Sequence, residues 1–212
     1  MKRFLTRKRT WAEGFTLLHV YLVPDLDHDR DLARLVDDCG RLLSGYDFVK
    51  PVPAPWLHCT VAPVMGVPGA AVDAATRAEF AIALRGALNG VPAFTLTAGS
   101  PLAGSTTVSL DLDGDLPGQP LHTVYTLTRK VIGELFGPTA LAYEAMPGHL
   151  TLAYATGAGD SGEVQSTLRT RVRPSHAPMT VREVHLVDVR QHRGDPVYYS
   201  WTVLDRIPLR AP

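Results

Sequence analysis

A chain of 212 residues that is 45% hydrophobic and 20% charged, with a mean hydropathy of +0.02, has the composition of a globular protein and not of a disordered or collagenous segment. At this length roughly 70% of the unfolded chain's surface is buried on folding, so the core needs no disulfide or structural metal, and the two cysteines, Cys39 and Cys59, read as reduced packing residues of a cytoplasmic protein. The 21 basic and 21 acidic residues balance, but Lys2, Arg3, Arg7, Lys8 and Arg9 all precede the first acidic residue, Glu13; the rest carries 16 basic against 21 acidic residues, which excludes the broad positive field that a long nucleic acid requires.

Residues 1–14 read as a basic, solvated and mobile tail, and residues 15–212 as one domain. Phe15 to Pro24 is apolar enough to suggest a secretory leader, but His19 interrupts it and Asp25 to Asp29 stands where a cleavage site would be. Residues 51–72 carry no Lys, Arg, Asp or Glu, yet five prolines among them forbid a membrane-spanning helix.

Thr16 to Val23 predicts a buried strand, and Leu32, Leu35, Val36, Cys39 and Leu43 recur at helical spacing from about Asp29 to Leu43. A proline-rich loop, Pro51 to Pro55, leads into a short strand, Leu57 to Ala62. A helix follows from about Asp73 to Leu88, and then a strand, Phe94 to Ala98. Thr106 to Leu112 alternates as a strand. A helix runs from about Leu121 to Phe136, a strand from His149 to Tyr154, and a shorter helix from Asp160 to about Val172. Val181 to Arg190 and Val197 to Leu204 predict a final pair of strands. The order strand, helix, strand, helix, strand thus occurs twice, in residues 16–98 and 106–190, and the last strand, 197–204, follows.

Equivalent places in the two copies hold the same motif. Trp56-Leu57-His58-Cys59-Thr60 and Gly148-His149-Leu150-Thr151 both follow a proline-bearing loop and both open a strand with His-x-Thr. Residues i and i+2 of a strand share a face, so each histidine lies beside its threonine while Cys59 and Leu150 point into a core. If the copies pack by a pseudo-twofold, two imidazoles and two hydroxyls converge on one cleft. That quartet suits in-line displacement at phosphorus, with one of His58 and His149 as base and the other as acid, in either order, and Thr60 and Thr151 donating to non-bridging oxygens. No metal or other cofactor is called for. His185, Asp188 and His192 match no metal-ligand spacing.

On these motifs the sequence resembles the 2H phosphoesterases, in particular the 2′-5′ RNA ligase-like group. Val52 to Val61 is similar to that group's Pro-Trp-Leu-His-x-Thr segment, and Trp201 to Leu209 to its closing strand; the resemblance covers Phe15 to Leu209, and the first 14 residues have no counterpart. It implies an α+β, bilobal fold in which antiparallel sheets line a central cleft with helices outside. It also implies cyclic phosphodiesterase or RNA end-processing activity, with catalytic roles for His58, Thr60, His149 and Thr151. Arg190 is a candidate for phosphate neutralisation, and Tyr154 and Trp56 for contact with a nucleobase. The expected partner is a small nucleotide or RNA end, turned over by a monomeric enzyme; the alternative is a module that binds such a ligand without turnover. Ligation is the reverse of the same chemistry.

Overall fold

The computed structural model describes residues 1–211. In chain order its strands and helices are β1 (Thr16–Leu22), α1 (Arg30–Leu43), β2 (Val49–Pro51), β3 (Cys59–Pro68), α2 (Ala74–Leu88), β4 (Phe94–Ala103), β5 (Thr107–Leu112), α3 (Pro120–Phe136), β6 (His149–Ala155), α4 (Ser161–Arg171), β7 (His176–Val181), β8 (Glu183–His192) and β9 (Tyr198–Pro208). The strands form two antiparallel sheets, ordered β3-β1-β8-β9 and β2-β6-β5-β4-β7, in the α+β arrangement expected.

Each helix buries the stripe its sequence period marks out: Leu32, Leu35, Cys39 and Leu43 on α1, Phe80, Leu84 and Leu88 on α2, Leu121, Val124, Val131 and Ile132 on α3, and Val164 and Leu168 on α4. Asp73 and Asp160 accept backbone N–H groups at the starts of α2 and α4, satisfying donors that have no partner within the helix.

The repeated element order is present, with its fifth strands exchanged. β4 pairs with β5 in the second sheet, and β8 pairs with β1 in the first. Only residues 104–106 separate β4 from β5, a connection short enough to hold them side by side as a hairpin. The helices exchange too: α1 follows β1 but packs on β6 and β7, whereas α3 follows β5 but packs on β3 and α2. Units β3-β1-β8 and β6-β5-β4 are therefore related by a pseudo-twofold and interlocked, and each sheet draws on both copies of the repeat.

Most strand segments beyond the sequence expectation lie at sheet edges and carry proline; the interior strand β4 also runs on through Pro101 to Ala103, past the residues paired with β7. β2 ends in Pro51, β7 contains Pro178, β3 extends through Pro63 to Pro68, and β9 extends to Pro208. A proline cannot donate to a ladder, so it argues against a central strand and is tolerated at an edge. Edge position is a property of the assembled sheet.

Candidate active site

The two His-x-Thr motifs come together because their leading segments are tied to each other. β2 pairs with β6, and the Val52 N–H donates to the Leu152 carbonyl at 2.8 Å, fixing the loop before His58 against the strand of the other motif. A short 3-10 turn, Ala54–Trp56, then delivers the chain to His58. Before His149, the Gly148 N–H donates to the Asp115 carboxylate at 2.8 Å, and a Cβ on Gly148 would stand 2.5 Å from Leu121 Cδ2, so a side chain here would force Leu121 of α3 to shift. Cys59, buried between His58 and Thr60, has its thiol against the main chain of His149, and burial pushes that thiol up to about 12. Leu150 is likewise buried, and both cysteines are free thiols.

A cavity of about 570 Å³ opens between the sheets and is lined by His58, Thr60, His149, Thr151 and Tyr154 among others. This lies within the usual range for small-ligand pockets. Each motif histidine is held in the same way: His58 Nδ1 lies 3.0 Å from the Trp56 carbonyl, and His149 Nδ1 lies 3.0 Å from the Pro147 carbonyl. A carbonyl only accepts, so Nδ1 donates in both rings and Nε2 is left for chemistry. A tyrosine stands beside each threonine in the cavity lining, Tyr21 by Thr60 and Tyr154 by Thr151.

The surroundings of the two imidazoles differ. Tyr21 stacks on His58 with ring centroids 4.1 Å apart, and Trp201 meets the same ring edge-on at 5.2 Å. This apolar sandwich strips water from His58 and lowers its pKa to about 4, with the neighbouring His149 adding to the effect. Among the described residues no aromatic ring packs on His149.

Of the other candidate residues, Tyr154 lines the cavity, buried and in contact with Phe4 at 4.3 Å between centroids. Trp56 acts at one remove: its carbonyl anchors His58 and its ring packs against Trp201 and Tyr198, outside the cavity lining. Arg190 is a correction. It pairs with Thr16 in the sheet and its exposed side chain borders a separate depression beside Glu13 and Arg193, because its position on β8 directs it away from the face that carries Val187 and Val189. His185, Asp188 and His192 are separated by their own partners, Glu183, Arg77 and Ser200. Among the described residues no group of three or more His, Cys, Asp or Glu is arranged to hold a metal ion.

The basic N-terminus is the second correction. It crosses the cavity as an ordered strap: the Lys2 N–H donates to the Ser105 carbonyl at 2.7 Å and the Phe4 N–H to the Ala155 carbonyl at 2.8 Å, both on the second sheet's side. On the first sheet's side Gln191 uses its whole amide, accepting from the Trp11 N–H and donating to the Arg9 carbonyl and the Tyr199 hydroxyl, each at 2.9 Å. Phe4, Lys8, Arg9 and Trp11 line the cavity. The aromatic residues Phe4 and Trp11 were the available signal, since a solvated tail has no need of them.

Sequence reasoning also passed over His19. It lines the cavity on β1, with Nδ1 3.2 Å from the Leu17 carbonyl, and burial lowers its pKa to about 3. The folded protein keeps His19 neutral while the unfolded chain protonates it below about pH 6.5. Stability is therefore complete above that pH and declines as the pH falls toward 3; at pH 4.5 the loss from this group is about 2–3 kcal/mol. Urea unfolding at pH 6.5 and 4.5 is expected to show a smaller difference in His19→Gln than in the wild type, and equal differences would dismiss the buried neutral histidine as its cause.

No protein-family model matches the sequence, and no curated protein matches it. Solved structures do. TT0787 of Thermus thermophilus superposes with a TM-score of 0.64 at 15% identity, covering 92% of this chain and 98% of that one. E. coli LigT complexed with 3′-AMP gives 0.60 at 19% identity, covering 92% and 99%, and LigT has also been solved with NADP+, ATP and phosphate. A further structure named phosphoesterase gives 0.59 at 17% identity, covering 92% and 99%. No helix of this chain, among the described residues, is long and apolar enough to cross a membrane. The architecture of this chain is the fold of TT0787, LigT and that phosphoesterase, over nearly the whole of each chain.

Proposed function

We propose that the protein is a phosphoesterase that opens 2′,3′-cyclic phosphates or cleaves 2′-5′ phosphodiester linkages of nucleotides or RNA ends by paired-histidine catalysis. The observation that carries this reading is the convergence on one cavity of two imidazoles anchored identically through Nδ1, each with its threonine. A binding site for a nucleotide needs no such matched pair. The fold is shared with LigT, a protein solved in complex with nucleotides and with phosphate, which suits a cavity of this size.

The asymmetry of the two rings divides the labour. His58, kept neutral by Tyr21 and Trp201, accepts the proton of an attacking water at Nε2. His149, protonated at Nε2, gives its proton to the departing ribose oxygen on the opposite side of phosphorus. Thr60 and Thr151 donate to the two non-bridging oxygens, whose charge rises as the fifth bond forms. The ester bond breaks as the water–phosphorus bond forms, one proton is taken and one is given, and the product is the nucleotide monoester.

These residues between them fill the base, acid and charge-stabilising roles, so turnover is expected to survive exhaustive chelation. The test is a screen of 2′,3′-cyclic nucleotides, 2′-5′ oligonucleotides and cyclic-phosphate-ended RNA with and without EDTA. Loss of turnover in EDTA with recovery on adding a divalent ion would refute the mechanism. Binding of these compounds with turnover of none would leave the cavity as a binding module.

A further inference from the structure

Apart from the motif histidine His149, which serves as the acid, the charge in the cavity comes from the N-terminal strap. No Asp or Glu lines it, and its lysine and arginine are Lys8 and Arg9 of the strap, while the rest of the chain is acidic in balance. His19 and His58 are held neutral by burial, so they add no charge near pH 7. Neither Lys8 nor Arg9 has an ion-pair partner among the described residues; Arg9 lies over the Phe4 ring at 5.3 Å, and its charge acts on the Tyr199 hydroxyl. The two cations are exposed and unpaired at the rim of a cavity that no carboxylate lines, a placement that attracts an anion there.

Their place in the cavity says where on the ligand that anion sits. Thr60 pairs with Tyr21 across β1 and β3, whereas the strap docks on Gln191 and Tyr199, level with the Thr16 and Leu17 end of β1. Tyr21 and Leu17 are four residues apart, roughly 13 Å along the strand. The cations therefore stand toward the part of a bound nucleotide remote from the reacting ester.

We propose that the strap forms a second anion subsite, through Lys8 and Arg9, which selects nucleotides carrying a phosphate in addition to the one presented to the histidines. The added phosphate is a 5′-phosphate of a mononucleotide or the adjoining internucleotide phosphate of an RNA end; both present the same anionic oxygens. This deepens the phosphoesterase reading and rests on it for the reacting ester, but the subsite is measurable by binding alone.

The experiment compares kcat/KM for adenosine 2′,3′-cyclic phosphate, the same nucleotide with a 5′-phosphate, and a dinucleotide ending in a cyclic phosphate. The wild type is expected to favour a substrate with the extra phosphate by about tenfold or more, as a charge-assisted contact provides; the arm with the larger gain names the source. In the double variant Lys8→Gln/Arg9→Gln the preference should collapse to within about twofold, while Lys2→Gln/Arg3→Gln, which removes equal charge outside the cavity, retains it. A wild-type ratio near one, an unaltered ratio in Lys8→Gln/Arg9→Gln, or an equal collapse in Lys2→Gln/Arg3→Gln would overturn the subsite. Calorimetry with adenosine 2′,5′-bisphosphate against adenosine 2′-monophosphate reads the same ratio without turnover. If the bisphosphate preference and its loss in the double variant are seen with no substrate turned over, the catalytic reading has failed and the subsite stands.

Discussion

His58→Ala and His149→Ala are each expected to lower kcat by about 10²- to 10⁴-fold, the range that a positioned general acid or base contributes. The double variant should be little worse than either single one, because groups that act in one step are strongly non-additive. The pH profile of kcat/KM separates the two roles. Protonation of His58 abolishes a base, so the acid limb of the profile should break near pH 4 and fall tenfold per pH unit below it, while loss of the acid's proton sets a separate basic limb. Trp201→Ala admits water to the edge of that ring and should move this acid limb upward, toward the ordinary histidine value near 6.5. A single alanine variant with near-normal turnover of every cyclic phosphate, or an acid limb that ignores the loss of Trp201, would contradict the assignment.

Thr60→Val and Thr151→Val are expected to lower kcat by about 10²- to 10³-fold each, the effect of removing one donor to a developing oxyanion charge. Valine keeps the β-branched shape that suits a strand and loses only the hydroxyl. Tyr21 and Tyr154 remain beside the two sites, and each loses the threonine hydroxyl beside it, so the variants must be checked for folding by circular dichroism. Thr60→Ser and Thr151→Ser restore the donor on a smaller side chain and should recover most of the activity. Equal kinetics in the valine and serine variants would return these residues to a structural role.

Much of the fold was legible in local pattern. The helices could be read because each buries one stripe at a period of 3.6 residues, and β1, β5 and β6 because they are interior strands with unbroken apolar or alternating runs. Most of the strands that were missed or cut short were edges, where proline is tolerated for reasons that exist only once neighbours are in place, and β4 was cut short where it runs through Pro101 beyond its β7 partner. The exchange of β4 and β8 between the sheets left no mark in either copy of the repeat, since pairing partners are chosen by connections and packing across the whole chain.

The same division holds at the site. The sequence by itself determined the candidate groups: two His-x-Thr motifs whose period-two spacing puts each imidazole and hydroxyl on one face, with Cys59 and Leu150 turned inward. Only the tertiary structure decided what surrounds them. It set Tyr21 and Trp201 against His58 and, among the described residues, no aromatic ring against His149, so two motifs alike in sequence have unlike surroundings, and burial lowers the His58 pKa because desolvation depends on neighbours far away in the chain. It also turned Arg190 away from the cavity and brought Lys8 and Arg9 into it. A charge near a site is a matter of which strand face or strap carries it, and residues separated by more than 180 positions meet there through the hydrogen bonds of one buried glutamine.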